Sequence, residues 1–186
     1  MPIPFHDDKE VEALGAAGYI KIQPDISGSS FAGALFLVNA RGEPLEFTYN
    51  RIEIPHTFLW KRADIQNHAV RKLVTSLLSI CPKVPRLILC LAEEVDSELF
   101  CHDIKVSIPV CRVALASKAV SYSSQETKET ANSPQSVHLF WFPQRPEDNT
   151  LEQQLVHKLS SYGLILEPFE RASMGLQEVY RGNNKT

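Results

Sequence analysis

Two apolar runs on either side of a long amphipathic segment constrain the fold of this chain more than any other feature. Residues 31–38 read FAGALFLV, without a charged side chain and with small residues at Ala32, Gly33 and Ala34. A strand with one wet face alternates apolar and polar residues, so an unbroken run predicts a strand covered on both faces. Residues 87–91, LILCL, repeat the pattern. Between the runs, Leu59, Ala63, Val70, Leu73, Val74 and Leu77 fall on one side at about 100° per residue. That stripe predicts one long helix over 57–80, with Thr57 as its cap. Strand, helix and strand in this order allow the right-handed crossover that returns a chain to its own sheet.

The remaining elements follow from local signals. Val11, Leu14 and Ala17 before Gly18 predict a short helix over 9–17, and Tyr19, Ile20 and Ile22 predict a brief strand after it. Residues 39–42 carry turn chemistry, and Leu45, Phe47 and Tyr49 then alternate with Glu46 and Thr48, a half-buried strand closing a hairpin on 31–38. Ile52 and Ile54 continue on the opposite parity, which predicts a bulge near Asn50. Strand character returns over 105–115, where Pro109 prefers an edge, and over 137–142 with Leu139, Phe140, Trp141 and Phe142. Thr150 with Gln153 forms a capping box before the stripe Leu151, Leu155, Leu159 and Tyr162, which ends at Gly163. A last helix begins at Pro168 and carries Phe169, Ala172, Leu176 and Val179. The polar stretch 117–136 offers little to bury and predicts a mobile loop inside the domain, and 182–186 predicts a frayed tail. The expectation is one α+β or α/β domain over 1–186, a mixed five- to six-stranded sheet with one long amphipathic helix and C-terminal helices.

Charge and processing signals narrow the function classes. Nineteen Lys and Arg against 22 Asp and Glu give 186 residues a formal charge of -3, so no global positive field draws the chain to nucleic acid or anionic membrane. Residues 1–10 lack a basic n-region and an apolar h-region, and the longest apolar runs fall short of the roughly 20 residues that span a bilayer. A cytoplasmic protein without membrane contact is expected. Cys81, Cys90, Cys101 and Cys111 lack C-x-x-C spacing, and are expected as free, mostly buried thiols.

The segment Gly42, Glu43, Pro44, Leu45, Glu46 and Phe47 resembles a hairpin of bacterial proteins that pair a G-x-P-L-E-F strand with a following helix. That resemblance implies no chemistry. The order helix, hairpin, long helix, further strands and final helix is similar to the roadblock and longin class, which implies a small scaffold that dimerises or docks on GTPases.

No phosphate-cradling glycine motif is present, so no P-loop or dinucleotide site is expected. Cys101, His102 and Asp103 set a thiol, an imidazole and a carboxylate side by side, the ingredients of a cysteine nucleophile, although neighbours in an extended segment point apart. His6, Asp7 and Asp8 are hard-metal donors near a terminus, and His56, His68, His138 and His157 lie in separate elements, so no metal and no cofactor is expected. Lys61, Asp64, His68, Arg71 and Lys72 make a mostly basic strip on the long helix with Trp60 nearby, either a solvated face or, with Lys61, Arg62, His68, Arg71 and Lys72 as the contacts, a surface for RNA or DNA phosphates. Trp141 and Phe142 read as core, or as an exposed anchor for a protein partner. A foldable core without a convincing nucleophile, metal cage or phosphate loop points first to a non-catalytic subunit or adaptor that docks on a larger protein or self-associates. The alternatives are an accessory nucleic-acid-contacting protein of a larger complex and a cysteine-dependent enzyme built on Cys101.

Overall fold

The structure, a computed structural model, describes residues 6–181. Its centre is one seven-stranded mixed sheet in the order β3-β2-β1-β4-β5-β7-β6. The strands are β1 (Ala17–Pro24), β2 (Ser30–Val38), β3 (Pro44–Glu53), β4 (Leu87–Leu91), β5 (Val110–Leu115), β6 (Thr127–Ser133) and β7 (Gln135–Phe142). The helices are α1 (His6–Leu14), α2 (Arg62–Ile80), α3 (Leu151–Ser161) and α4 (Glu167–Tyr180). This is the mixed α/β class expected, with one strand more than the sequence pattern indicates.

Both apolar runs lie in the middle of the sheet because helices cover both of its faces. Tyr19, Phe36, Leu89, Val113, Leu139 and Trp141 face Leu155, Leu159, Phe169 and Ala172 of α3 and α4. Ile20, Ile22, Leu35, Leu37, Ile88 and Cys90 face Val70, Leu73, Val74 and Leu77 of α2. Two-sided cover also explains the parity change in β3. Phe47 belongs to the first cluster and Ile52 to the second, so no bulge is needed between them. Pairing with β2 runs unbroken from Ser30↔Glu53 to Leu37↔Glu46, and the irregularity lies between Leu37 and Val38, at the turn end rather than near Asn50. Gly42 in that turn holds φ at 77°, the left-handed region glycine adopts without strain.

β1 pairs parallel with β4, and β4 parallel with β5, while β2 lies antiparallel between β1 and β3. The chains of β1, β3, β4 and β5 therefore all run the same way. Their carboxyl ends share one edge of the sheet, where open α/β sheets gather ligands.

Three further expectations need correction. The long helix starts later than 57: residues Thr57–Leu59 form a 3₁₀ turn and α2 begins at Arg62 with Lys61 at its cap and no side-chain cap bond. Residues 105–109 are not strand, since β5 starts only after Pro109. The stretch 117–136 is not one mobile loop, for it supplies β6, paired with β7 from Thr127↔Trp141 to Ser133↔Gln135. The tail 182–186 and the side chains of His6, Asp7 and Asp8 lie outside the described residues. No helix among the described residues is long and apolar enough to cross a membrane.

Candidate nucleic-acid interface

The link from β3 to α2 lies at the carboxyl edge and is built to expose rather than bury its apolar residues. Ile54 is buried and closes the sheet, but His56 then adopts φ 54° and turns the backbone outward. Within the next turn Phe58 is 82% exposed, Leu59 74% and Trp60 40%. The sequence assigns Leu59 to the buried stripe of a longer helix. The structure places it outside α2, on solvent. Phe58 and Trp60 line one open groove of about 810 Å³ together with Ile26, Phe31 and Arg62.

The basic strip continues from that turn along α2. Lys61 and Arg62 are exposed at its start and Arg71 and Lys72 lie two to three turns on, also exposed. Salt bridges among the described residues engage none of these four. His68 joins the two parts: its ring lies 4.9 Å from the Trp60 ring. Partial burial, then Lys72 and Arg71, hold the imidazole below its ordinary pKa. Trp60 thus meets His68 and shares its groove with Phe58 and Arg62, while exposed Arg71 and Lys72 lie further along α2, Arg71 about two and a half turns from Arg62 and so on the other side of the helix. Sequence reasoning missed Phe58 because a phenylalanine beside a helical stripe reads as core.

The second feature of this edge is a cavity of about 300 Å³ between the ends of β4 and β5 and the start of α4. Leu91, Val113, Leu166 and Phe169 form its apolar lining, and Lys21, Glu93, Lys118, Glu170 and Ser173 its polar groups. Lys21 on β1 donates to Glu94 Oε1, and Glu94 Oε2 accepts from Ile22 N at 2.9 Å. Lys118 pairs with Glu93 at 2.6 Å. Burial raises the Glu94 pKa despite Lys21.

Beyond the cover of α2, the same face carries Arg112, 4% exposed. Its Nη1 meets both oxygens of Glu126 at 3.0 and 2.9 Å, its Nε donates to Val95 O at 2.8 Å, and Nη2 reaches Ala92 O and Ser121 O. Two irregular segments, 92–98 and 116–126, thus find a buried donor for carbonyls that no strand satisfies.

The other predicted sites stay apart. Cys101, His102 and Asp103 sit in a π-helical turn, Leu99–Asp103. His102 turns to Glu98 at 2.8 Å, and burial, Glu126 and Glu98 raise the Cys101 thiol, the reverse of what an activated nucleophile needs. Trp141 is fully buried, donating to Glu129 Oε2 at 2.9 Å, and Phe142 is half-buried against the α2 side of the core. Neither stands out as a partner anchor, because a strand paired on both sides and covered on both faces leaves little of an aromatic exposed.

No protein-family model matches the chain, and no curated protein matches its sequence. Solved structures do. Endonuclease V from Streptomyces avermitilis is similar at a TM-score of 0.58 and 13% identity, covering 98% of this chain and 95% of the other. Endonuclease V from Bacillus subtilis is similar at 0.54 and 12%, covering 93% and 85%. The chain has the endonuclease V fold over nearly its whole length. The expectation of a non-catalytic adaptor is corrected by that finding, because the fold is one that nucleic-acid-processing enzymes use.

Nucleases commonly hold divalent cations on converging carboxylates. The donor set here does not fit one: Glu94 and Glu93 are each engaged by a lysine, and no group of three or more His, Cys, Asp or Glu among the described residues could hold a metal ion.

Proposed function

We propose that this chain binds nucleic acid, laying the phosphate backbone along α2 and stacking unpaired bases on the turn at 57–60. The observation that carries this reading is that exposed Phe58 and Trp60 share a groove with Arg62 at the carboxyl edge and Trp60 packs near His68, with exposed Lys61 at the cap of α2 and exposed Arg71 and Lys72 further along the same helix. Flat aromatic side chains beside a cationic track are what single-strand binding requires: every base has a π-face, and every nucleotide a phosphate. The two endonucleases that share the fold support the same reading. Duplex bases are already stacked on one another, so an exposed ring gains most from unpaired ones.

Fluorescence anisotropy with a labelled single-stranded oligonucleotide of about 16 nucleotides, long enough for one module, tests the proposal. Trp60→Ala is expected to weaken binding by about 1–3 kcal/mol without unfolding the protein, since the ring is 40% exposed. Arg71→Glu with Lys72→Glu is expected to weaken it more at low salt than at high. Equal affinity of the wild type and both variants contradicts the proposal.

A further inference from the structure

In a nuclease of two-metal type, the cations neutralise the phosphate, clamp the attacking and leaving oxygens, and lower the pKa of the water that attacks. In an open α/β sheet such a centre belongs at the carboxyl ends of the parallel strands. At that place this chain carries an internal ion pair. The Lys21 and Glu94 side chains are 17% and 12% exposed, and both carboxylate oxygens are engaged, one by the ammonium and one by the Ile22 amide. A cation reaching Glu94 would have to displace a part-buried ammonium whose hydrogen bond among the described residues is to that same carboxylate, leaving it without that partner in a partly desolvated place. Glu93, which precedes Glu94 in the chain and lines the same cavity, is paired with Lys118 at 2.6 Å. Glu170 and Ser173 face the same cavity from α4, and Ser173 donates to Gln23. At this edge Glu94 and Glu93 are thus each engaged by a lysine, and Glu170 is the remaining carboxylate of the cavity lining. An ammonium also gives static charge without activating a water, so it replaces a metal's bulk and charge but not its chemistry.

We propose that this chain holds nucleic acid without a divalent cation and leaves the strand intact, the Lys21–Glu94 pair occupying the place of a metal centre. The inference rests on the nucleic-acid reading above for its ligand, and on the donor geometry alone for its metal-free character.

Two measurements on the wild-type chain separate these parts. In the first, the electron paramagnetic resonance signal of free Mn²⁺ is followed as protein is added. The signal is expected to stay unchanged, and saturable uptake of one or two equivalents would overturn the proposal. In the second, a single-stranded oligonucleotide labelled at one end is incubated with protein in Mg²⁺, Mn²⁺ or EDTA. Full-length recovery and affinities within about twofold across the three buffers are expected on the metal-free reading. Cleavage that EDTA abolishes would overturn it. If the oligonucleotide fails to bind in every buffer, the binding reading falls, and with it the statement about nucleic acid, while the Mn²⁺ result still decides whether the edge takes a metal. Lys21→Glu removes the ammonium and sets a carboxylate facing Glu94. A folded variant, checked by circular dichroism, is expected to take up Mn²⁺ at least about tenfold more tightly than the wild type. Unchanged uptake by that variant would show that the pair is not what excludes the metal.

Discussion

His68 joins the aromatic turn to the helix in the proposed nucleic-acid surface. It touches Trp60, and burial together with Lys72 and Arg71 keeps it from protonating as readily as a free imidazole. Because its folded pKa lies below the unfolded value, its contribution to stability is present above the unfolded value and lost as pH falls toward the folded one. A bound phosphate reverses the local field and favours the imidazolium. Oligonucleotide affinity is therefore expected to rise as pH falls through the window between the free and bound pKa of His68. His68→Gln should flatten that rise, as an anisotropy series across pH would show, and an unchanged pH profile would remove His68 from the interface. The sequence offers Lys61, Arg62, His68, Arg71 and Lys72 as candidates because polar residues in a helix are easy to read as exposed. Phe58 and Leu59 are not legible in the same way. Periodicity ranks an apolar residue as buried, and only the left-handed backbone at His56 turns these two outward.

At the scale of elements, the Arg112–Glu126 pair does the most to hold irregular segments in place. It joins the β4 exit, the segment before β6 and β5 across buried ground. Removing one partner strands a buried charge, so Glu126→Ala is expected to destabilise the protein by about 3–5 kcal/mol. The double replacement Arg112→Met with Glu126→Leu should recover a large part of that loss, measured by urea denaturation. A cost for Glu126→Ala near that of an exposed pair, under about 1 kcal/mol, would contradict the buried-pair account. Here the sequence misleads in an instructive way. Residues 117–136 look too polar to order, yet an edge strand needs only one neighbour and uses charged and hydroxyl side chains to discourage further pairing. The available signal was Trp141, whose indole N–H must find a partner when buried; it is Glu129 of β6 that accepts. The α2 boundary was missed for a different reason, since the 3₁₀ turn keeps helical spacing while the chain changes direction.

At the scale of the molecule, the apolar runs 31–38 and 87–91 locate the middle of the sheet, and the stripe of α2 locates one of its covers. Of the topology, those elements contain only the hairpin and the crossover back to the same sheet; the full strand order comes from long-range pairing that leaves no local pattern. What the pattern does not contain is the edge. Lys21 is a single lysine in an apolar strand, and its pairing with Glu94 across 73 positions of sequence leaves no local trace. The fold is shared with two endonucleases at 13% and 12% identity, a range in which core character persists while site residues are free to differ. In the proposal, affinity lies on α2 and its aromatic turn, while the strand edge is occupied by the Lys21–Glu94 ion pair.

The salt dependence of single-strand binding by the wild-type protein tests that placement most directly. With Lys61, Arg62, Arg71 and Lys72 all on phosphates, log K against log salt concentration should be linear with a slope of about -3, from roughly 0.7 counterions released per contact. No detectable binding at low salt, or binding that does not respond to salt, would contradict the account.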